Sequence, residues 1–457
     1  MKITSILLAA GQGTRMKSDL PKVLHLIAGK PMIQHALDAM TFASTETPVV
    51  VVGHGAEQVT DYLGASARTV RQEPQLGTAH AVMQAESLLR DASDLILVSY
   101  ADMPLLRGET VARLVELQKR NPGPMSMLTV FADDPRGFGR IVRNKNGTVD
   151  AIVEEYVATP EQLAIRELNV GAYCFRADWL WDAVHRIEKN PRKGEYYLTD
   201  MVELAVKDGM TVQAEVMEDA KEAIGINTRV HLAEVEVEMR KRINESHMLN
   251  GVTLMDPAST YIESGVTIGR DTLVMPNTYL HAGTVIGEGC VIGPNTMIRS
   301  TKIGNHSKVL MSVLEGAQVG DDVDMGPFAR LRKGAKLGDH VHMGNFGEVK
   351  DSTLAEGVKM GHFSYIGNAT IGKNTNIGAG TITCNYDGVK KHPTVIGEDV
   401  FIGSDTMLVA PLNIGDHAST GAGAVVTKDV PADMLAVGMP ARSIRKNWRS
   451  MKKDEGK

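Results

Sequence analysis

A chain of 457 residues with 43% hydrophobic and 23% charged residues has the composition of a soluble globular protein, and its length exceeds one ordinary core, so two or more domains are expected. A net charge of −6 argues against general nucleic-acid binding, but not against phosphate ligands, which need only a few local cations. The sparse cysteines Cys174, Cys290 and Cys384 form neither a disulfide framework nor a metal set, which points to a reducing cytoplasm; no segment approaches the ~20 apolar residues of a membrane helix.

The opening run Ile3–Ala10 reads as a buried strand rather than an export signal, because a Gly-rich loop with Arg15 and Lys17 follows at once. Pro48–Val52, Asp94–Ser99 and Met125–Phe131 read as further strands; Ile33–Ala43, Ala79–Leu89 and Thr110–Lys119 read as helices. The alternation predicts a Rossmann-like α/β domain with a mainly parallel sheet, whose ligands bind beyond the carboxyl ends of the strands. The loop after the first strand is therefore the first candidate site. Gly11 and Gly13 let backbone N–H groups approach phosphate oxygens, Arg15 supplies a fork of donors, and Lys22 adds a second charge. Asp102 closes the apolar strand Leu95–Val98, a place for a metal carboxylate and equally for a cap. Farther on, Leu232, Val235, Met239 and Ile243 lay one apolar stripe along a helix. The expected division is residues 1–229, a connecting helix over 230–250, and residues 251–457.

Past Gly251 an aliphatic residue followed by Gly recurs, as at Ile268, Ile286, Ile292, Ile303, Val319, Leu337, Met343, Met360, Ile366, Ile371, Ile377, Ile396, Ile402 and Ile414. Many intervals are six or multiples of six, and others, such as five, mark phase slips; this is the hexapeptide repeat of a parallel β-helix. Each side sends an aliphatic residue inward, and the Gly is read as permitting the corner. The interior is filled, so chemistry belongs on outer faces, between subunits, or in insertions such as Thr381–His392.

Leu8-Ala9-Ala10-Gly11-Gln12-Gly13-Thr14-Arg15-Met16 with Pro21-Lys22 resembles the sugar-phosphate nucleotidyltransferases. The resemblance is closest to the bifunctional bacterial enzymes that join an N-acetylglucosamine-1-phosphate uridylyltransferase to a glucosamine-1-phosphate N-acetyltransferase, and it runs end to end. It implies a left-handed coil and a nucleotide site made of Leu8, Ala9, Ala10, Gly11, Lys22, Gln72, Gly77, Thr78, Tyr100, Ala101, Asp102, Gly139, Glu154, Asn169 and Asn227. Asp102 and Asn227 are the implied Mg²⁺ ligands; Asn227 also fits a cap on the connecting helix. A sugar-1-phosphate dianion needs no general base, only alignment and charge neutralisation at the UTP α-phosphate, from Arg15, Lys22 and the metal. Ala101 and Phe138 depart from the family's Gly and Tyr. If the backbone at Ala101 needs positive φ, Ala is strained there.

In the coil, Gly344–Lys350 and Gly361–Gly367 resemble the family's acetyltransferase site. The resemblance implies His362 as general base, which suits an amine that attacks a thioester in its neutral form. Glu348 is expected to orient that imidazole. Arg332, Lys350, Tyr365 and Asn376 are implied for the sugar phosphate, and Ala379, Asn385, Tyr386, Ser404, Ala422 and Arg442 for acetyl-CoA. Cys384 is read as packing. Lys333 and the segment Val437–Arg442 depart from the pattern, and the basic run Arg445–Lys453 is either a solvated end or a phosphate contact.

The expected substrates are glucosamine-1-phosphate, acetyl-CoA, N-acetylglucosamine-1-phosphate and UTP, with self-association as a homotrimer and no nucleic-acid or membrane partner. Two other readings share the layout. One is a single-activity nucleotidyltransferase with a structural or regulatory coil; the other is a non-catalytic translation-factor subunit.

Overall fold

The computed structural model describes residues 1–446. Of the basic run at the end, the Arg445 side chain and everything from Asn447 onward lie outside the described residues. The chain divides into two compact units, Met1–Met239 and Arg240–Lys457. Among the described residues no helix is long and apolar enough to cross a membrane.

The first unit is built on a 9-stranded sheet. Its strands are β1 (Ile3–Ala9), β2 (Val49–Val52), β3 (Arg68–Arg71), β4 (Leu95–Tyr100), β5 (Met125–Phe131), β6 (Arg140–Arg143), β7 (Val149–Val153), β8 (Glu167–Arg176) and β9 (Val212–Val216). They lie in the order β3–β2–β1–β4–β8–β5–β9–β7–β6. β1 is buried along its whole length, as a strand covered on both faces must be. β3, β2, β1 and β4 run parallel, so their carboxyl ends open on one edge.

Beyond β4 the sheet departs from the expected parallel order. β8 enters antiparallel between β4 and β5. Its apolar run is broken in sequence by Asn169 and Gly171, and these mark a register shift, with Gly171 at φ +85°. Past the bulge the Glu167–Asn169 end stays paired with β5 and meets β6 at Arg140, while the pairing with β4 is confined to Tyr173–Arg176. The helix expected over Ala79–Leu89 is two pieces, Thr78–Met83 and Glu86–Leu89. Gln84 causes the break: its side-chain amide donates to the His80 carbonyl at 2.9 Å, the acceptor its own backbone N–H would use in a continuous helix, while that N–H turns to Ala81.

The connecting helix spans Arg229–Leu249, and the division into units falls within it, between Met239 and Arg240. Leu232, Val235 and Met239 pack with Met16, Ile27 and Ile226 of the first unit. Ile243 packs on the core of the second, where Asn244 donates to the carbonyls of Pro257 and Thr260.

The second unit is a left-handed parallel β-helix whose three sides are sheets of 12, 10 and 9 short strands. The strands pair in parallel with those a full turn later, as Val274 with Ile292, Leu280 with Ile298 and Ile268 with Ile286, except that Ala441–Lys446 closes the 12-stranded sheet antiparallel to Met434–Gly438. The inward residues stack into one continuous buried column of Val, Ile, Leu and Met. A fully buried side chain of this kind contributes roughly 1.5–3 kcal/mol relative to exposure.

Apart from Gly293, which is left-handed at φ +100°, the repeat glycines have a different cause from the one expected. Gly269, Gly287, Gly304 and Gly320 are not left-handed. A Cβ on any of them would meet an atom of the next turn at 2.2–2.6 Å. They permit close approach of successive turns. The left-handed corner falls two residues later, at Asp271, Gly289, His306 and Asp322.

Candidate active sites

The carboxyl ends of β1, β3 and β4 enclose a cleft of about 500 Å³. Leu8, Ala9, Ala10, Gly11, Lys22, Gln72, Gly77, Thr78, Tyr100 and Asp102 all line it. Nothing crowds the open side of Gly11, whereas a Cβ on Gly13, itself at φ +61°, would strike Lys22 Cβ at 2.7 Å. The first glycine therefore leaves space for a ligand, and the second lets Lys22 approach the loop.

Lys22 is the hub. Its Nζ donates to Asp102 Oδ2 at 2.6 Å and to Asn227 Oδ1 at 3.4 Å, and Arg15 Nη2 donates to the same Asn227 oxygen at 3.0 Å. The Ile226 N–H donates to the Asp102 carbonyl, which joins the two acceptor segments through the backbone. Two hard oxygens thus converge on one cationic point, a donor set that fits a divalent ion keeping water or phosphate as its other ligands. Among the described residues no group of three or more His, Cys, Asp or Glu could hold a metal. The cap on the helix after Asn227 falls to Thr228, whose hydroxyl accepts the His231 N–H.

On the far side, buried Gln72 donates from Nε2 to the Gly77 carbonyl at 2.9 Å and approaches His80 Nδ1 at 3.1 Å. Burial lowers the His80 pKa. Gly77 is left-handed, and a Cβ there would meet the Tyr196 carbonyl at 2.5 Å. Burial, followed by the Asp102 charge, pushes the Tyr100 phenol well above its ordinary range. Ala101 is buried and is not left-handed, so the expected strain is absent.

Gly139, Glu154 and Asn169 lie off this cleft, on β6–β8. The Asn169 side chain exchanges hydrogen bonds with Tyr173, and its N–H donates to the Gly139 carbonyl. Glu154 accepts from Thr199 at 3.3 Å, and burial raises its pKa. The Phe138 carbonyl accepts from Arg140, a contact that needs no ring hydroxyl. Gln75, which holds the Ala10 carbonyl at 2.5 Å, also lines the cleft and was not foreseen; nothing in a lone Gln signals it.

The coil carries a cavity of about 750 Å³ lined by His362, Asn376, Ala379, Ser404 and Ala422. His362 stands on the corner between the 12- and 10-stranded sheets. On successive turns the same corner position holds Pro327, Asn345, His362, Ala379, Ser404 and Ala422, and the next position holds Phe328, Phe346, Phe363, Gly380, Asp405 and Gly423. Below His362 the corner is bulky, with Phe328 stacked on Phe346 at 5.3 Å. Above it only small or short residues remain. Arg442 lies opposite Val437, which lines the upper end of the cavity.

Arg332, Lys350 and Tyr365 lie on the 10-stranded sheet, a different face. Asn385 is beside them: a Cβ on Gly367 would touch both the Tyr365 hydroxyl at 2.5 Å and Asn385 Nδ2 at 2.8 Å. Tyr386 is exposed and bridges to Lys391 in the insertion. Asp387 shapes that insertion, its carboxyl held far below the usual range by the Lys390 N–H and by His392. Lys391, then Arg332, hold the Lys350 amine below its ordinary range. These three cations lie close together, and Lys391 was not foreseen; the Lys390-Lys391 pair in the insertion was the available signal. Asn376 lies on the His362 wall rather than with this group.

Within one coil Glu348 is not bonded to His362 among the described residues: it accepts from Arg332 Nη1 at 2.9 Å. The strand register sets Glu348 beside Arg330 and Tyr365, outward on the 10-stranded sheet, while His362 turns into the cavity. Cys384 is half-buried and its thiol is raised by burial, away from the thiolate.

Residues 5–144 match the MobA-like NTP transferase domain, and residues 265–300 and 393–428 match the bacterial transferase hexapeptide family of six repeats. The chain is 48% identical to the bifunctional protein GlmU of Geobacillus thermodenitrificans, covering 98% of both chains. It is 46% identical to the GlmU of Exiguobacterium sibiricum, with 97% of this chain and 99% of the relative covered. For Heliobacterium modesticaldum the identity is 46%, with 99% and 98% covered. Two transferase sites on two folds, matched along the whole length, place the chain in one group: it belongs to the bifunctional GlmU family.

Proposed function

We propose that the coil transfers acetyl from acetyl-CoA to glucosamine-1-phosphate, and that the first unit then joins the N-acetylglucosamine-1-phosphate to UMP from UTP, releasing pyrophosphate. The product is UDP-N-acetylglucosamine. The observation that carries this reading is the pair of built sites, one phosphate-directed and one around a histidine, on separate units.

In the first unit, Gly77 and Gln72 would hold the base, and the Ala10–Gly11 backbone with Arg15 and Lys22 the phosphates. Glu154 and Asn169 would hold the sugar. Asp102 and Asn227 would hold Mg²⁺. The ion would neutralise charge at the α-phosphate during displacement. The cations already gathered at Asp102 support that role, since the attacking phosphate needs neutralisation rather than a base.

In the coil, the small-residue corner above His362 suits the pantetheine arm. Ala422 stands three turns above His362, about 14 Å at ~4.8 Å per turn, the scale of an extended thioester arm. The nucleotide end of the cofactor would then lie toward Arg442. His362 would take the amine proton during attack. Arg332, Lys350 and Lys391 would hold the sugar phosphate.

These cations and the His362 wall lie on different sheets of one coil. A second copy packed alongside would bring them together, which supports a homotrimer with sites between neighbouring coils. The free cysteines support a reducing cytoplasm as its home.

The test measures both half-reactions on the full chain, wild type and His362→Ala. Wild type should release coenzyme A with glucosamine-1-phosphate and pyrophosphate with N-acetylglucosamine-1-phosphate, UTP and Mg²⁺. His362→Ala should lose only the first. No thiol release from wild type refutes the acetyl-transfer half; no pyrophosphate refutes the uridylyl half.

A further inference from the structure

The carboxylate-backed imidazole of the coil cavity is His342. It lines the same cavity as His362. Its Nδ1 lies 3.0 Å from Asp324 Oδ2, one turn below. That contact makes Nδ1 the donor and leaves Nε2 as the atom that gains or loses a proton. Nε2 lies toward the His362 corner: a Cβ on Gly361 would stand 3.9 Å from it and would meet no other atom within 4 Å. The side chain is 46% exposed, so bulk water also reaches it. The groups facing His342 are Asp324 below, Lys359 one turn above, and His362 at the corner.

Acetyl transfer to an aminosugar removes two protons from nitrogen. The amine arrives as an ammonium near neutral pH and must lose one proton before it can attack. It loses the second as the N–C bond forms and the C–S bond breaks. One of these protons ends on the departing thiolate, and the other leaves for solvent. A single imidazole that accepts the second proton and passes it to sulfur cannot also hold the first. Resting on the acetyl-transfer reading above, we propose that His342, positioned by Asp324, takes the first proton from the substrate ammonium and passes it to water, while His362 handles the second.

The test is the pH profile of kcat/KM for thiol release, from roughly pH 6 to pH 9.5, on the full chain. His342→Gln should be about tenfold or more slower near pH 7 and should approach wild type at the alkaline end, where the amine arrives already neutral. Asp324→Asn should show a smaller deficit of the same shape. An unchanged melting transition of the coil establishes that both variants are folded there, and their uridylyl transfer should match wild type because the substitutions lie wholly in the second unit. A deficit of equal size at every pH, or none at all, overturns the proposal. Wild type without thiol release would instead sink the acetyl-transfer reading and this inference with it, so the two failures are told apart.

Discussion

Replacing Gly77 by Ala tests the nucleotide cleft at a point where the effect can be worked from coordinates. Gly77 has φ 99° and ψ 179°, a region that is essentially glycine-only and costs about 1–3 kcal/mol for another residue. The new Cβ would meet Tyr196 O at 2.5 Å and Tyr196 N at 2.8 Å. Both are backbone atoms, so no side chain can swing away and the loop itself must move. That movement strains the bonds from Tyr196 N to Leu76 O, from Ala79 N to Tyr196 O, and from Gln72 Nε2 to Gly77 O, of 2.8, 3.0 and 2.9 Å. Strain and weakened bonds together come to about 2–4 kcal/mol. If half of that appears in nucleotide binding, KM for UTP rises about 5- to 30-fold, at 1.4 kcal/mol per tenfold. Acetyl transfer should be unchanged, because the substitution lies wholly in the first unit. Steady-state kinetics of both half-reactions, with thermal unfolding, measure it. An unchanged KM for UTP and an unchanged first melting transition would refute the argument.

Lys391→Ala should raise KM for glucosamine-1-phosphate roughly tenfold by removing one charge-assisted phosphate contact. It should also move the alkaline limit of binding to higher pH, since Lys391 is the leading cause that lowers the Lys350 pKa; a KM–pH profile reads both. Burial, with Glu203 and Glu154 nearby, raises the Asp200 carboxyl from its ordinary value to about 6. Its contribution to stability is fully present below pH ~4 and is lost as pH rises through about 6. Asp200→Asn should therefore stabilise the first unit at pH 7–8, by about 1 kcal/mol after discounting for partial exposure, with the gain gone below pH ~4; melting curves across that range decide it. Ala101→Gly should bring no relief, because Ala101 is not left-handed. It should instead cost about 0.5–1 kcal/mol in backbone entropy, and a rise in melting temperature would contradict that.

Much of the first unit was legible because its signals are local. An apolar run followed by Gly11, Gly13, Arg15 and Lys22 names a strand and its phosphate loop, and Asp102 sits at the end of another strand. The antiparallel entry of β8 was not legible. Asn169 and Gly171 break its pattern, and only the sheet shows that the break is a bulge between two strands distant in sequence. The divided helix at Gln84 was hidden for a similar reason: a competing side-chain bond leaves no mark on hydrophobic periodicity. Gln75 was missed because its role depends on one carbonyl that the fold brings to it.

The coil shows the opposite balance. Its repeat declares the fold plainly, yet the repeat says little about which residues share a corner. Phase is lost at the insertion, where Ile382 pairs with Met407 across a longer stretch of chain than Tyr365 spans to reach Ile382. Once the register is known, the residues on the His362 corner fall into a bulky lower half and a small upper half. The outward position next to it runs Asp324, His342, Lys359, Asn376. Glu348 was expected to orient His362 by analogy with carboxylate–histidine pairs. The three-sided cross-section separates them: Glu348 belongs to the face with Arg332 and Tyr365, and His362 belongs to the cavity. Chemistry on a β-helix is therefore organised along columns a full turn apart: Asp324, 18 positions from His342, reaches that imidazole directly, whereas within one coil Glu348 lies on another face from His362.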